Sequence, residues 1–260
     1  MADRLADRPA FSAPHPRRRP MLPRIVGHRG AALHAPENTL AGLREAARQG
    51  CRWVEIDVRL TADDGLVLMH DPTVDRTTTA AGRVRELALA EIAAMDAGAR
   101  FGRAWTGEPV PALADAIAAA HALALHLDIE LKCDPGDAAA AAAALVREIG
   151  RAWTADAPPL ISSFDHAALS AVRASRADLP VAVVTPALSD AWRAAFEALG
   201  AASLHVGTRG LTREAVIPLV AEGIEIGVYT VNDAARAREL LSWGIAGIFS
   251  DRPGAIAAAL

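Results

Sequence analysis

Two carboxylates lie two positions apart in the stretch Trp53-Val54-Glu55-Ile56-Asp57-Val58. The pattern is that of a strand, so Glu55 and Asp57 share one face while Val54, Ile56 and Val58 share the other. Like charges on one face repel, and burial adds a desolvation cost. A second stretch, residues 126–132 (HLDIELK), repeats the arrangement, with His126, Asp128, Glu130 and Lys132 opposite Leu127, Ile129 and Leu131. Glu55, Asp57 and Glu130 together form the oxygen-rich set that a hard divalent cation takes. No cysteine accompanies them, which points to Mg²⁺ or Ca²⁺ rather than structural Zn²⁺. Arg29 and Lys132 flank the same carboxylates and suit an anionic phosphate oxygen. His28, beside Arg29, closes a short β-branched run. Singly, an i, i+2 carboxylate pair is an ordinary solvated strand face, and a strand-end histidine an ordinary hydrogen-bonding residue. Their coincidence on one rim is what demands an account.

The elements that must position these residues alternate along the chain. Strands are expected at 24–28, 53–58, 125–131, 159–163, 180–184, 202–206, 225–231 and 246–249. Helices are expected at 39–49, 112–122, 138–149, 166–175, 189–199, 213–222 and 233–242. A further run, Leu66 to His70, follows residues 53–60 after only the turn-like 62–65 (ADDG). A parallel crossover needs about a dozen residues or more, so this run must return as a hairpin. Removing it leaves eight strand–helix units, the count of a (β/α)₈ TIM barrel. Residues 61–111 then form a small insertion between strand 2 and helix 2. In such barrels catalytic groups gather at the C-terminal strand ends, where His28, Arg29, Glu55, Asp57, Glu130 and Lys132 fall.

The totals are compatible with this reading. At 260 residues, 52% hydrophobic, 22% charged and net charge −4, the chain suits one α/β domain with no general attraction to nucleic acid or anionic membrane. Cys51 and Cys133, the two cysteines, are far apart and fit a reducing, cytoplasmic setting rather than a disulfide scaffold. No apolar run approaches the roughly 18 residues of a membrane span. Residues 1–23 are Pro- and Arg-rich; Arg17-Arg18-Arg19 lacks the apolar stretch of a twin-arginine signal, so a flexible tail is expected, with Met21 an alternative start. His34, His121 and His166 read as loop or surface residues, whereas His205 falls at a strand end and faces either the mouth or the core.

The motifs GHRG (27–30), PENT (36–39), EID (55–57), HDP (70–72), ELK (130–132) and SDRP (250–253), with GEPVP (107–111), LISSF (160–164) and YTVN (229–232), resemble the glycerophosphodiester phosphodiesterases, cytosolic bacterial type. The resemblance spans about residues 24–254. It implies a barrel with an insertion after the second strand, metal ligation by Glu55, Asp57 and Glu130, and catalytic histidines at His28 and His70. It also implies a glycerophosphodiester substrate, such as glycerophosphocholine or glycerophosphoethanolamine, cleaved to glycerol 3-phosphate and an alcohol. Departures are Cys133, where the family often has Pro, and TADDG in place of a Lys-Asp-Gly turn. Following the family pattern, His28 is the base and His70 the acid, with water or the glycerol 2-hydroxyl as nucleophile. Tyr229 and Asn232 are candidates to hold the glycerol. Rival readings are a lysophospholipid-directed phosphodiesterase, a catalytically dead barrel that binds phosphate or metal, and a barrel whose function lies elsewhere.

Overall fold

The computed structural model describes residues 21–189 and 191–260. Nine strands form one sheet: β1 (Ile25–His28), β2 (Trp53–Leu60), β3 (Leu66–Leu68), β4 (His126–Lys132), β5 (Leu160–Ser163), β6 (Val181–Thr185), β7 (Ser203–Gly207), β8 (Ile226–Tyr229) and β9 (Gly247–Ser250). All but β3 are parallel to their neighbours, and β1 pairs with both β2 and β9, which closes an eight-stranded barrel. The short β3 runs antiparallel to the end of β2, with Val58 opposite Leu68. This is the hairpin expected from the four-residue turn.

Around the barrel lie α1 (Leu40–Arg48), α3 (Leu113–Ala122), α4 (Ala138–Ala152), α5 (His166–Ser175), α6 (Ala191–Leu199), α7 (Arg213–Ala221) and α8 (Ala234–Ser242). Each lies within three residues of the boundaries expected from the sequence. Two helices go beyond those that the sequence pattern predicts: α2 (Leu89–Ala93), in the insertion, and α9 (Pro253–Ala258), after the last strand. Both are too short to show helical periodicity. Polar caps start several helices; the Thr39 hydroxyl accepts from Gly42 N–H and the Asp165 carboxylate from Ala167 and Ala168 N–H.

Alternation along the strands separates two cores. Val54, Ile56, Val58, Leu127, Ile129 and Leu131 point outward into the layer beneath the helices, where each is fully buried. Inside the barrel, Leu22, Val26, Leu160, Ala182 and Phe249 form an apolar plug. Leu22 and its neighbours Met21 and Pro23 fall in the Pro- and Arg-rich stretch whose composition predicts a tail. Yet Leu22 is buried, and the N–H groups of Met21 and Leu22 donate to the Glu225 carboxylate. The rest of the expected tail lies outside the described residues.

Beside the plug residues, and in register with several of them, is a buried polar layer of Asp128, Ser162, Ser203 and His205. His205 therefore faces the barrel interior, below the mouth. Its ring lies 3.1 Å from Ser203 Oγ and 3.5 Å from Asp128 Oδ2. Residues between β2 and α3 carry a separate small core of Val67, Met69, Val74, Val84, Ile92, Ala97 and Val110.

Candidate active site

Register builds the carboxylate cluster. Glu55 pairs with His28 on β1 and with Asp128 on β4, while Asp57 pairs with Glu130. Oxygen atoms of Glu55, Asp57 and Glu130 all come within 4.8 Å of one another. Their environments differ. Asp57 accepts from Asn38 Nδ2 at 2.8 Å, lies 3.1 Å from Lys132 Nζ and 3.2 Å from Arg29 Nε. Burial would raise its pKa, but the Lys132 and Arg29 charges outweigh that and bring it down to about 2. Glu130 is pushed up by burial, although Lys132 donates to its Oε1. Glu55 is raised well above the usual carboxylate range, first by burial and then by Asp57 and Glu130. It receives the Arg29 backbone N–H at 3.0 Å on Oε2, whereas Oε1 is buried without any donor among the described residues. Three carboxylates thus face two cations, and the unmatched charge falls on Glu55.

Arg29 reaches this position through an unusual backbone. Its φ of 50° turns the N–H onto Glu55, and Gly30 follows at φ 92°. A Cβ on Gly30 would sit 2.6 Å from the Gly42 carbonyl carbon, so the GHRG loop can lie on α1 only as glycine. The Arg29 guanidinium is steadied by Glu37, whose Oε1 accepts from Nη1 at 2.9 Å. Asn38, also at positive φ, both donates to Asp57 Oδ2 and accepts the Asp57 N–H at 3.0 Å.

Each candidate histidine has a carboxylate on Nδ1, which leaves Nε2 as its free ring nitrogen. His28 Nδ1 lies 2.6 Å from Asp251 Oδ1, and its Nε2 lies 4.0 Å from Glu55 Oε2. Asn232 Nδ2 donates to Asp251 Oδ2 at 2.6 Å, and Asn232 Oδ1 accepts from Ser250 Oγ and Asp251 N–H, both at 2.9 Å. His70 follows the end of β3, with Nδ1 2.7 Å from Asp71 Oδ1 and its carbonyl accepting from Arg59 Nε at 2.9 Å. Burial lowers the His70 pKa; the Asp57 charge and the Asp71 hydrogen bond oppose this.

Tyr229 and Asn232 each have a hydrogen-bond partner within the chain. The Tyr229 hydroxyl donates to the Thr185 carbonyl at 2.8 Å, and the Asn232 amide serves Asp251. Phe164, exposed beside the mouth, packs edge-on against Tyr229 and lies under Lys132 Nζ at 5.2 Å. Sequence reasoning passed over Glu37, Asn38, Asp71 and Asp251 as site residues, although each lies within a quoted motif. For Asp71 the signal available was its place beside His70, whereas Glu37, Asn38 and Asp251 adjoin no candidate group in the sequence.

Comparison with known proteins decides what this constellation belongs to. A sequence profile described as the glycerophosphoryl diester phosphodiesterase family matches residues 28–255. The chain belongs to that family. It is accordingly a phosphoric diester hydrolase, a glycerophosphodiester phosphodiesterase. It is 30% identical over 230 residues to the glycerophosphodiester phosphodiesterase of Caldanaerobacter subterraneus, covering 88% of this chain and 94% of that one. Among solved structures, a phosphodiesterase of Oleispira antarctica, in complex with its product sn-glycerol-3-phosphate, superposes with a TM-score of 0.89 at 35% identity, covering 92% of this chain and 96% of that one. The glycerophosphodiester phosphodiesterase of Agrobacterium tumefaciens gives a TM-score of 0.70 at 31% identity, covering 91% and 100%.

Proposed function

We propose that this phosphodiesterase hydrolyses small glycerophosphodiesters, such as glycerophosphocholine or glycerophosphoethanolamine, to glycerol 3-phosphate and the free alcohol, and that it requires a divalent cation, Mg²⁺ or Ca²⁺. It would act in the cytoplasm, in phospholipid breakdown and glycerol metabolism, with the barrel and its insertion working as one unit. The observation that carries the cation requirement is the cluster of Glu55, Asp57 and Glu130, with one buried Glu55 oxygen lacking any donor among the described residues. An all-oxygen set with unmatched negative charge fits a hard cation. Bound there, the ion would polarise the phosphoryl group and offset its charge.

The remaining roles fall to side chains of this chain. Arg29 and Lys132 stabilise negative charge on the phosphoryl oxygens. His28 takes a proton through Nε2 from the nucleophile: water, which gives glycerol 3-phosphate directly, or the glycerol 2-hydroxyl, which gives a cyclic phosphate that a water then opens to glycerol 3-phosphate. His70 delivers a proton through Nε2 to the departing alcohol oxygen; Asp71 on Nδ1 favours the imidazolium that burial disfavours. Tyr229 and Phe164 wall the side of the mouth near Lys132. No helix among the described residues is long and apolar enough to cross a membrane. The test is release of glycerol 3-phosphate from a panel of headgroups with Mg²⁺, Ca²⁺ or EDTA. Equal turnover in EDTA would overturn the cation requirement, and faster cleavage of lysophosphatidylcholine would overturn the substrate class.

A further inference from the structure

We propose that Arg76, a residue of the insertion, is a positioning residue for the reaction. Its guanidinium clamps Asp71 and Glu37 together, and so holds the His70 ring in register with Arg29 on the barrel rim. This rests on the reading of His70 as a proton-transfer group.

The geometry is that of a double fork. On one side, Arg76 Nη1 and Nη2 donate to the two Glu37 oxygens at 2.7 and 2.8 Å. On the other, Nε and Nη2 donate to the two Asp71 oxygens at 2.6 and 3.1 Å. The Asp71 oxygen reached by Nη2 is the one that faces His70 Nδ1 at 2.7 Å. The Glu37 oxygen reached by Nη2 also accepts from Arg29 Nη1 at 2.9 Å. A continuous chain of charge-assisted hydrogen bonds therefore runs from the His70 ring through Asp71, Arg76 and Glu37 to Arg29, and Arg29 Nε lies 3.2 Å from Asp57.

Stability does not account for this arrangement. The Arg76 side chain is 47% exposed, where ion pairs contribute little to folding. The insertion already has its own apolar core. What Arg76 does supply is compensation for two neighbouring carboxylates that would otherwise repel. Among the described residues Asp71 is the only hydrogen-bond partner of the His70 ring, and the His70 side chain is 34% exposed. Freed from Arg76, Asp71 can turn to solvent and release the ring. A lysine places a single point charge and cannot engage four oxygens in one plane.

The test uses the full chain and its turnover of glycerophosphocholine with Mg²⁺. In Arg76→Ala and Arg76→Lys, kcat should fall roughly tenfold or more, the usual cost of losing an outer partner of a functional group. Tm should stay within about 3 °C of the parent, as loss of an exposed pair allows. In a His70→Ala background, adding Arg76→Ala should change kcat by less than about twofold, because no ring remains to be held. Equal fold losses in both backgrounds would overturn the proposal, as would wild-type kcat in Arg76→Ala. Should Arg76→Ala lower Tm, Arg76→Lys decides: it retains stem and charge, and wild-type kcat there would equally overturn it. Undiminished turnover in His70→Ala alone would instead remove the underlying role of His70.

Discussion

At the scale of single residues, the site is a set of charges whose protein partners do not balance. Asp57 is matched by Lys132 and Arg29, whereas Glu55 is buried beside two other carboxylates with only backbone and histidine contacts. Glu55→Ala or Asp57→Ala should abolish cation-dependent turnover while the barrel persists. Thermal melts provide a check independent of activity. A cation at a hundred times its Kd stabilises by about 2.7 kcal/mol, so Mg²⁺ or Ca²⁺ should raise the Tm of the parent but not of these variants. His28→Ala and His70→Ala should each slow turnover by roughly 10²–10⁴-fold, the range for general acid–base groups. Asp251→Asn should approach the His28→Ala rate, because an amide nitrogen opposite Nδ1 leaves the wrong ring tautomer favoured. A kcat within twofold of the parent would remove Asp251 from the site.

At the scale of elements, the insertion folds as an annex with its own core and brings His70 to the mouth. Ile92 is fully buried in that core, and its truncation to Ala should cost about 2–5 kcal/mol. The loss falls on the annex, because Val67, Val84 and Ala97 around it belong to a cluster apart from the main core. Amide exchange in residues 69–97 of Ile92→Ala should accelerate, and turnover should drop, while exchange in β4 to β7 remains near that of the parent. Uniform acceleration through the barrel strands would show that annex and barrel unfold together. GEPVP ties the two at another point, since the Glu108 carboxylate accepts from Ala41 N–H at the start of α1.

At the scale of the whole molecule, the polar layer inside the barrel makes stability depend on pH. His205 is buried, and that burial alone brings its pKa down to about 3 from an ordinary 6.5. Facing it are Asp128, which burial raises to about 8, and the neutral groups of Ser203 and Phe249. Below pH 6.5 the unfolded chain binds a proton at this histidine and the folded chain does not. Stability from His205 is therefore intact above 6.5 and is lost as pH falls, at up to about 1.4 kcal/mol per unit. Relative to His205→Gln, urea denaturation of the parent should show a deficit that grows from pH 6.5 to 4.5. A constant difference across that range would mean that His205 is charged in the folded barrel.

The sequence by itself determined the strand and helix order, because alternation and helical periodicity are local properties. It determined the hairpin, because four turn residues cannot span a crossover. It also brought out Glu55, Asp57 and Glu130 as a set, because register in a parallel barrel carries i, i+2 alternation from one strand to the next. Only the tertiary structure decided the partners of those groups. Asp251 meets His28 across 223 positions of chain, and Arg76 meets Glu37 across 39, through side-chain reach that no local pattern encodes. The short helices α2 and α9 lacked the length to show a period. Tyr229 ends β8 and Asn232 follows shortly after, and only the folded chain shows that they donate to the Thr185 carbonyl and to Asp251. Local periodicity decides which face a residue occupies; closure of the barrel decides what it meets there.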